Sequence, residues 1–194
     1  VPLESLLGQT VVIEEKIDGA NCGVSFSPNG ELLLQSRGHY LTGGPREKHF
    51  ALLKTWANCH AAALGEMLGA RYVLYGEWVY GKHTIFYDQL PHYLLEFDVY
   101  DRKRQLFLDT DAREQLLDRE LLCAVPVLYR GPMPGSREAL VELIAPALYK
   151  SDRWPERLAE IARAQNLDRK RVASETDRSD LSEGLYIKAE QNGR

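Results

Sequence analysis

Glu14-Glu15-Lys16-Ile17-Asp18-Gly19-Ala20-Asn21 sets a lysine at the end of an apolar run and directly before a turn. Thr10 to Ile13 is β-branched and reads as a strand, Asp18-Gly19 breaks it, and Val24 to Phe26 resumes an alternating pattern. A lysine presented there is an amine held in a fixed place. An unperturbed lysine, with a pKa of roughly 10.4, is almost wholly protonated near neutral pH, and it becomes a nucleophile only through burial or cationic neighbours. Taken alone, Lys-x-Asp-Gly is more often the tip of a solvated hairpin. The rest of the chain decides between the two readings.

Four further segments follow in order: Ser36-Arg37-Gly38, Tyr75-Gly76-Glu77-Trp78, Phe97-Asp98-Val99-Tyr100-Asp101 and Ser182-Glu183-Gly184-Leu185-Tyr186-Ile187-Lys188. With Lys16 to Asn21 they resemble motifs I, Ia, III, IIIa and IV of the nucleotidyltransferases of the covalent ligase and capping-enzyme superfamily. The resemblance runs from Glu14 to Lys188. Within the superfamily it looks most like the adenylyltransferase domain of ATP-dependent RNA ligases, because motif I ends in Asn21 where ATP-dependent DNA ligases usually carry arginine. A DNA ligase, a GTP-dependent capping-type enzyme and a non-catalytic module that holds a nucleotide or a nucleic-acid end are the alternatives.

The resemblance implies an α+β fold, an antiparallel-sheet nucleotidyltransferase domain with helices packed on the sheets. It also implies a reaction: Lys16 attacks ATP to give lysyl-AMP, AMP passes to an RNA 5′-phosphate, and a 3′-hydroxyl is sealed onto that end. Arg37 is then expected at the nucleotide ribose, in a fork geometry that lysine cannot reproduce. Glu77 and Glu183 are carboxylates beside glycines and suit a hard cation, Mg2+ or Mn2+, that keeps several waters. Carboxylates around an amine favour its charged form, so a cation among them is also needed on physical grounds. Phe97 offers a face for adenine, Ile187 closes the other side, and Glu15 is a candidate for the adenine edge. Asn21 would orient metal-bound water or phosphate through its amide, Lys188 joins the nucleotide-binding set, and Asp18 and Gly19 form the motif turn. RNA ends are the expected partner, with end-healing domains possible elsewhere in a longer chain.

Composition sets bounds. At 194 residues the chain reads as one adenylyltransferase domain with a sizeable core, and 44% hydrophobic with 27% charged residues is ordinary for a globular protein. No apolar run approaches the roughly 20 residues that span a bilayer, and no signal peptide is visible, so the cytoplasm is the default and no membrane partner is expected. Cys22, Cys59 and Cys123 lack paired spacing and read as buried apolar fillers. The net charge of −4 does not exclude nucleic acid, whose contacts are local. Arg102-Lys103-Arg104 and Arg169-Lys170-Arg171 are basic clusters, neither interleaved with aromatics as a base-stacking platform would be. The five histidines show no metal-ligand spacing and receive no role.

Along the chain, Ser27-Pro28-Asn29-Gly30 predicts a hairpin turn between Val24 to Phe26 and Leu32 to Gln35. The stretch between Gly44 and Gly69 predicts a helix broken near Gly65. Tyr72 to Tyr80 and Tyr93 to Asp101 predict neighbouring strands joined by a polar loop. Asp111 to Glu120, Ser136 to Ile144 and Pro155 to Gln165 read as helices, Pro126 to Gly135 as a connecting loop, Asp168 to Asp180 as a mobile polar loop, and Leu181 to Ala189 as the last strand. The family's motif V, with its paired lysines, has no counterpart before Asn192-Gly193-Arg194. The domain is therefore expected to be truncated before motif V, and fresh reaction with ATP to depend on the segment beyond.

Overall fold

The computed structural model describes residues 2–190; Val1 and residues 191–194, which include the terminal Asn192-Gly193-Arg194, lie outside the described residues. In chain order the strands are β1 (Thr10–Lys16), β2 (Ala20–Phe26), β3 (Leu32–Ser36), β4 (Tyr72–Trp78), β5 (Leu94–Asp101), β6 (Leu106–Phe107), β7 (Cys123–Ala124), β8 (Val127–Pro132) and β9 (Gly184–Ala189). The helices are α1 (Ala51–Cys59), α2 (Ala61–Leu68), α3 (Thr110–Leu116), α4 (Arg137–Val141), α5 (Trp154–Ala164) and α6 (Arg169–Ser174). The α+β expectation holds. The chain forms two compact units, the first from residues 2–18, Lys82–Pro91 and Pro126–Ala189, the second from Gly19–Gly81, His92–Val125 and Glu190.

In the first unit β1 is the middle strand of an antiparallel sheet ordered β8-β1-β9. Its β-branched residues suit that position: Val11 and Ile13 are fully buried against Met133 and Leu140, with Leu185 and Ile187 of β9 packed alongside. Each buried aliphatic of this kind contributes about 1.5–3 kcal/mol. The segment expected to be a loop from Pro126 to Gly135 is instead largely β8. It is an edge strand, where Pro132, opposite Thr10, costs the sheet little by lacking an N–H. Its pairing slips between Ile13 and Glu14, a bulge one step before Glu15 and Lys16 that alters the local twist of the strand.

The predicted mobile loop from Asp168 to Asp180 contains α6. Asp168 caps it by accepting the N–H groups of Lys170 (2.9 Å) and Arg171 (3.2 Å), a cap worth about 1 kcal/mol. Charge content disguised a short helix as solvent-exposed coil. The preceding α5 is anchored by buried Trp154, whose indole N–H donates to Asp180 at 2.7 Å.

The second unit is a sheet ordered β3-β2-β4-β5-β6, with β7 parallel to β5. Cys22, Val24, Leu74, Trp78, Leu94 and Val99 form its buried face, against which Leu53 and Ala57 of α1 and Leu64 and Leu68 of α2 pack. The expected hairpin is present, Phe26 pairing with Leu32. The helical break falls at His60, not Gly65, which lies inside α2 with the Phe26 ring 3.6 Å from where a Cβ would sit. The expected helix from Asp111 is shorter than predicted and begins one residue earlier, at Thr110, capped by Asp109. Among the cysteines only Cys22 is the buried filler expected; Cys59 is exposed at the end of α1 and Cys123 is half-buried. No helix among the described residues is long and apolar enough to cross a membrane.

Candidate nucleotide site

Lys16 closes β1, opposite Gly184 of β9. The strand before it is buried, yet its own side chain is 49% exposed and its ammonium donates to Glu183, the residue just ahead of β9. The structure therefore brings together two residues far apart in sequence that motifs I and IV had each supplied. An ion-paired ammonium has no lone pair to offer, so chemistry at Lys16 starts with separation from Glu183 or transfer of the proton.

Glu15, one residue earlier, is 2% exposed. One carboxylate oxygen accepts the Leu148 N–H at 3.2 Å, while the other, Oε1, is buried without a hydrogen-bond partner. Burial pushes its carboxyl above the usual glutamate range, partly offset by that N–H. Buried acceptors without a partner are few in folded proteins, so this oxygen is free to take one. Because the folded-state pKa is raised, the stability Glu15 contributes is full below the unfolded value near 4.5 and is lost as pH rises through the folded value. Glu15→Gln, which has no charge to bury, is thus expected to raise stability at pH 7. The gain should shrink as the pH falls below the folded-state pKa of Glu15, which thermal melts across pH 4 to 8 would follow.

Glu14 is fully buried, and Lys188 of β9, 11% exposed, meets its Oε2 at 2.7 Å. Lys188 also lies 5.3 Å from the centre of the Tyr186 ring. Ile187 packs on the Val11 and Ile13 cluster. Both residues expected at the nucleotide thus have structural work within the sheet as well. Glu14 was missed because only the pairing of β1 with β9 reveals its partner.

Asp18 is an anchor. Its Oδ2 accepts the N–H groups of Thr84 (2.6 Å) and Ile85 (2.7 Å), and its own N–H donates to the Tyr87 hydroxyl at 2.9 Å. The polar loop read from the sequence after Gly81 is pinned at its centre, with Ile85 and Tyr87 buried.

In the second unit Asn21 and Glu77 sit directly opposite each other on β2 and β4. Both line a cleft of about 330 Å3 together with Gly19, Ser36, Arg37 and His39. Gly19 tolerates no side chain: a Cβ there would lie 2.9 Å from the Trp78 carbonyl oxygen and 3.0 Å from the Glu77 Cγ. The glycine of motif I is thus required by close approach to the strand carrying Glu77. Glu77 also raises the thiol pKa of neighbouring Cys22, secondary to the effect of burial.

Sequence reasoning gave no role to His39 or Glu47, which also line the cleft. His39 Nδ1 is 3.0 Å from Ser36 Oγ, and Nε2 is 3.7 Å from Glu47 Oε1. Glu47 is 7% exposed and accepts from the Lys54 ammonium (2.5 Å) and the Gly43 N–H (2.9 Å); Lys54 holds its carboxyl below the usual range. These residues frame Arg37, and the only sequence signal was the closeness of His39 to Ser36-Arg37. Phe97 does not line this cleft. It is half-buried on β5 at a register slip where Tyr75 pairs with Asp98 and Gly76 with Glu96, leaving Phe97 as the extra residue of a bulge, a device that re-aims side chains.

The RNA ligase family model matches residues 9–194, and the chain belongs to that family. Among curated proteins none matches the sequence. Solved structures of Naegleria gruberi RNA ligase share the fold. A lysine-to-alanine mutant with ATP and Mn is 17% identical with a TM-score of 0.60, and the match covers 96% of this chain and 48% of that one. The same ligase with PPi is 18% identical with a TM-score of 0.61 and the same coverage. A glutamate-to-alanine mutant with AMP and Mn is 18% identical, TM-score 0.57, covering 76% and 45%. The chain spans about half the length of these structures.

Proposed function

We propose that this chain is the adenylyltransferase domain of an ATP-dependent RNA ligase. It activates itself as lysyl-AMP, passes AMP to an RNA 5′-phosphate and seals a 3′-hydroxyl onto that end. The observation that carries the reading is the family match across residues 9–194, with an exposed lysine at the first position of Lys-Ile-Asp-Gly. The ATP, AMP, Mn and PPi of the similar ligase structures support nucleotide and divalent-metal use.

In the first step Lys16 Nζ forms a bond to the α-phosphorus of ATP as the bond to the bridging oxygen breaks and pyrophosphate leaves. Glu183 touches the amine and holds it in place, and the proton passes to solvent as the pair separates. Arg37 binds ribose or phosphate oxygens as a fixed fork; Glu15 offers its unsatisfied oxygen to the adenine amino group; Phe97 and Ile187 give apolar faces to the base, and Lys188 a cation to phosphate. In the second step an oxygen of the RNA 5′-phosphate displaces Lys16 from AMP. In the third the RNA 3′-hydroxyl attacks that end and AMP departs.

Among the described residues no three His, Cys, Asp or Glu side chains gather as a metal cage. The oxygen donors assigned to the cation, Glu77, Glu183 and Asn21, suit a Mg2+ or Mn2+ that retains waters. When bound, that cation supplies charge neutralisation at the phosphates. Glu77→Ala and Glu183→Ala are each expected to raise the Mg2+ concentration for half-maximal adenylylation by about tenfold, a loss of roughly 1.4 kcal/mol. Unchanged Mg2+ titrations would make both glutamates structural.

Intact mass after incubation with ATP or GTP and Mg2+, followed by denaturation, tests the function. An increment equal to AMP, from ATP alone, is expected. An increment equal to GMP would move the protein to capping-type chemistry, and no increment with either nucleotide would favour a binding module.

A further inference from the structure

α5 and α6 wall an open groove of about 750 Å3 that none of the proposed nucleotide residues lines. Its floor is aliphatic: Leu158, Ala159 and Ala162 from α5, Val172 and Ala173 from α6. Arg169, Lys170 and Arg178 also line it, and no acidic residue does. None of these three cations takes part in an ion pair among the described residues, whereas nearby Arg157 and Arg171 are neutralised by Glu160 and Glu175 on their own helices. In a chain of net charge −4, this is an apolar trough edged by three cations that form no ion pair among the described residues.

We propose that the groove docks an acidic amphipathic helix of a protein partner. The charge of the occupant follows from the three cations, and its apolar stripe from the floor. Alanines on both walls let a third helix approach closely, as packing at 8–10 Å between axes requires. With 11 residues α5 is about 16 Å long, three turns, enough for apolar anchors at i, i+3 or i+4, and i+7. A single RNA strand fits less well. The one aromatic in the lining, Trp154, is 6% exposed and has the Lys150 ammonium 4.1 Å from its ring centre, so it presents no free face for a base.

The test is selection from a displayed library of helices of about 16 residues, with aliphatic residues fixed at that spacing and the flanking positions free to be acidic, basic or neutral. The full chain is the bait, and enriched peptides are measured by fluorescence anisotropy. Acidic flanks should dominate. Affinity should fall at least about tenfold in Arg169→Ser/Lys170→Ser/Arg178→Ser, whose binding should also lose its salt dependence. Ala159→Glu and Ala173→Glu, each checked for an unchanged melting temperature, should abolish binding. Adenylylation by ATP should be unchanged in all three, so failure here is distinct from failure of the ligase reading. Three results would overturn the proposal: no enrichment, enriched helices without acidic bias, or binding indifferent to these substitutions. A fourth is protection of the groove by single-stranded oligouridylate alone, which would make the surface an RNA contact.

Discussion

Lys16→Ala is expected to acquire no AMP on incubation with ATP and Mg2+, while melting within about 1 kcal/mol of the parent. The two halves of that expectation have separate origins. The side chain is half in solvent and its partner Glu183 is one-third exposed, so the lost ion pair belongs to the class worth about 0–1 kcal/mol. The proposed chemistry, in contrast, has no substitute, because a lysyl-AMP phosphoramidate would need this nitrogen. Lys16→Arg should be equally silent, since a guanidinium stays protonated and has no lone pair for phosphorus. The measurement is intact mass beside a thermal melt. AMP carried by folded Lys16→Ala at the parental level would remove Lys16 as the nucleophile.

Lys188→Met should destabilise the protein by about 3–5 kcal/mol, the range for removing one partner of a buried ion pair. Glu14 is fully buried, and the substitution takes away the ammonium 2.7 Å from its Oε2. Adding Glu14→Leu should recover most of the loss, because an apolar pair of similar volume avoids the cost of burying charge. Urea denaturation of the single and double variants reads this directly. The double variant also separates two roles proposed for Lys188. If it folds like the parent but adenylylates slowly, the lysine serves phosphate as well as the sheet; if its rate is parental, the lysine serves the sheet alone.

What the sequence made legible was local. The β-branched run before Lys16 and the aromatic and β-branched run around Glu77 are strands whichever partner they find, and Ser27 to Gly30 turns the chain by its own chemistry. β8 stayed hidden because a short stretch bounded by prolines becomes a strand only when β1 offers it an edge. α6 stayed hidden because its helix rests on the Asp168 cap and not on an apolar stripe. The candidate site divides the same way. Lys16, Asn21, Arg37, Glu77 and Glu183 were visible through motif order, and the register of β2 on β4 sets Asn21 against Glu77. Glu47 and Glu14 were invisible, since each owes its position to a partner or neighbour that only the fold supplies.

The sheet order β8-β1-β9 has a consequence for how the molecule comes into being. The strand that ends in Lys16 is synthesised before both strands that pair with it, which come from residues 127 to 189. At about 5–20 residues per second its two edges wait, open, for on the order of ten seconds. During that interval an apolar, β-branched strand with unpaired amides is a template for wrong partners. Pairings of such long sequence separation also make folding slow. Yield from cells should therefore respond to temperature and chaperone supply more than the stability of the finished fold suggests, because the vulnerable species is a nascent chain that has the Lys16 strand but not yet the strands that hold it.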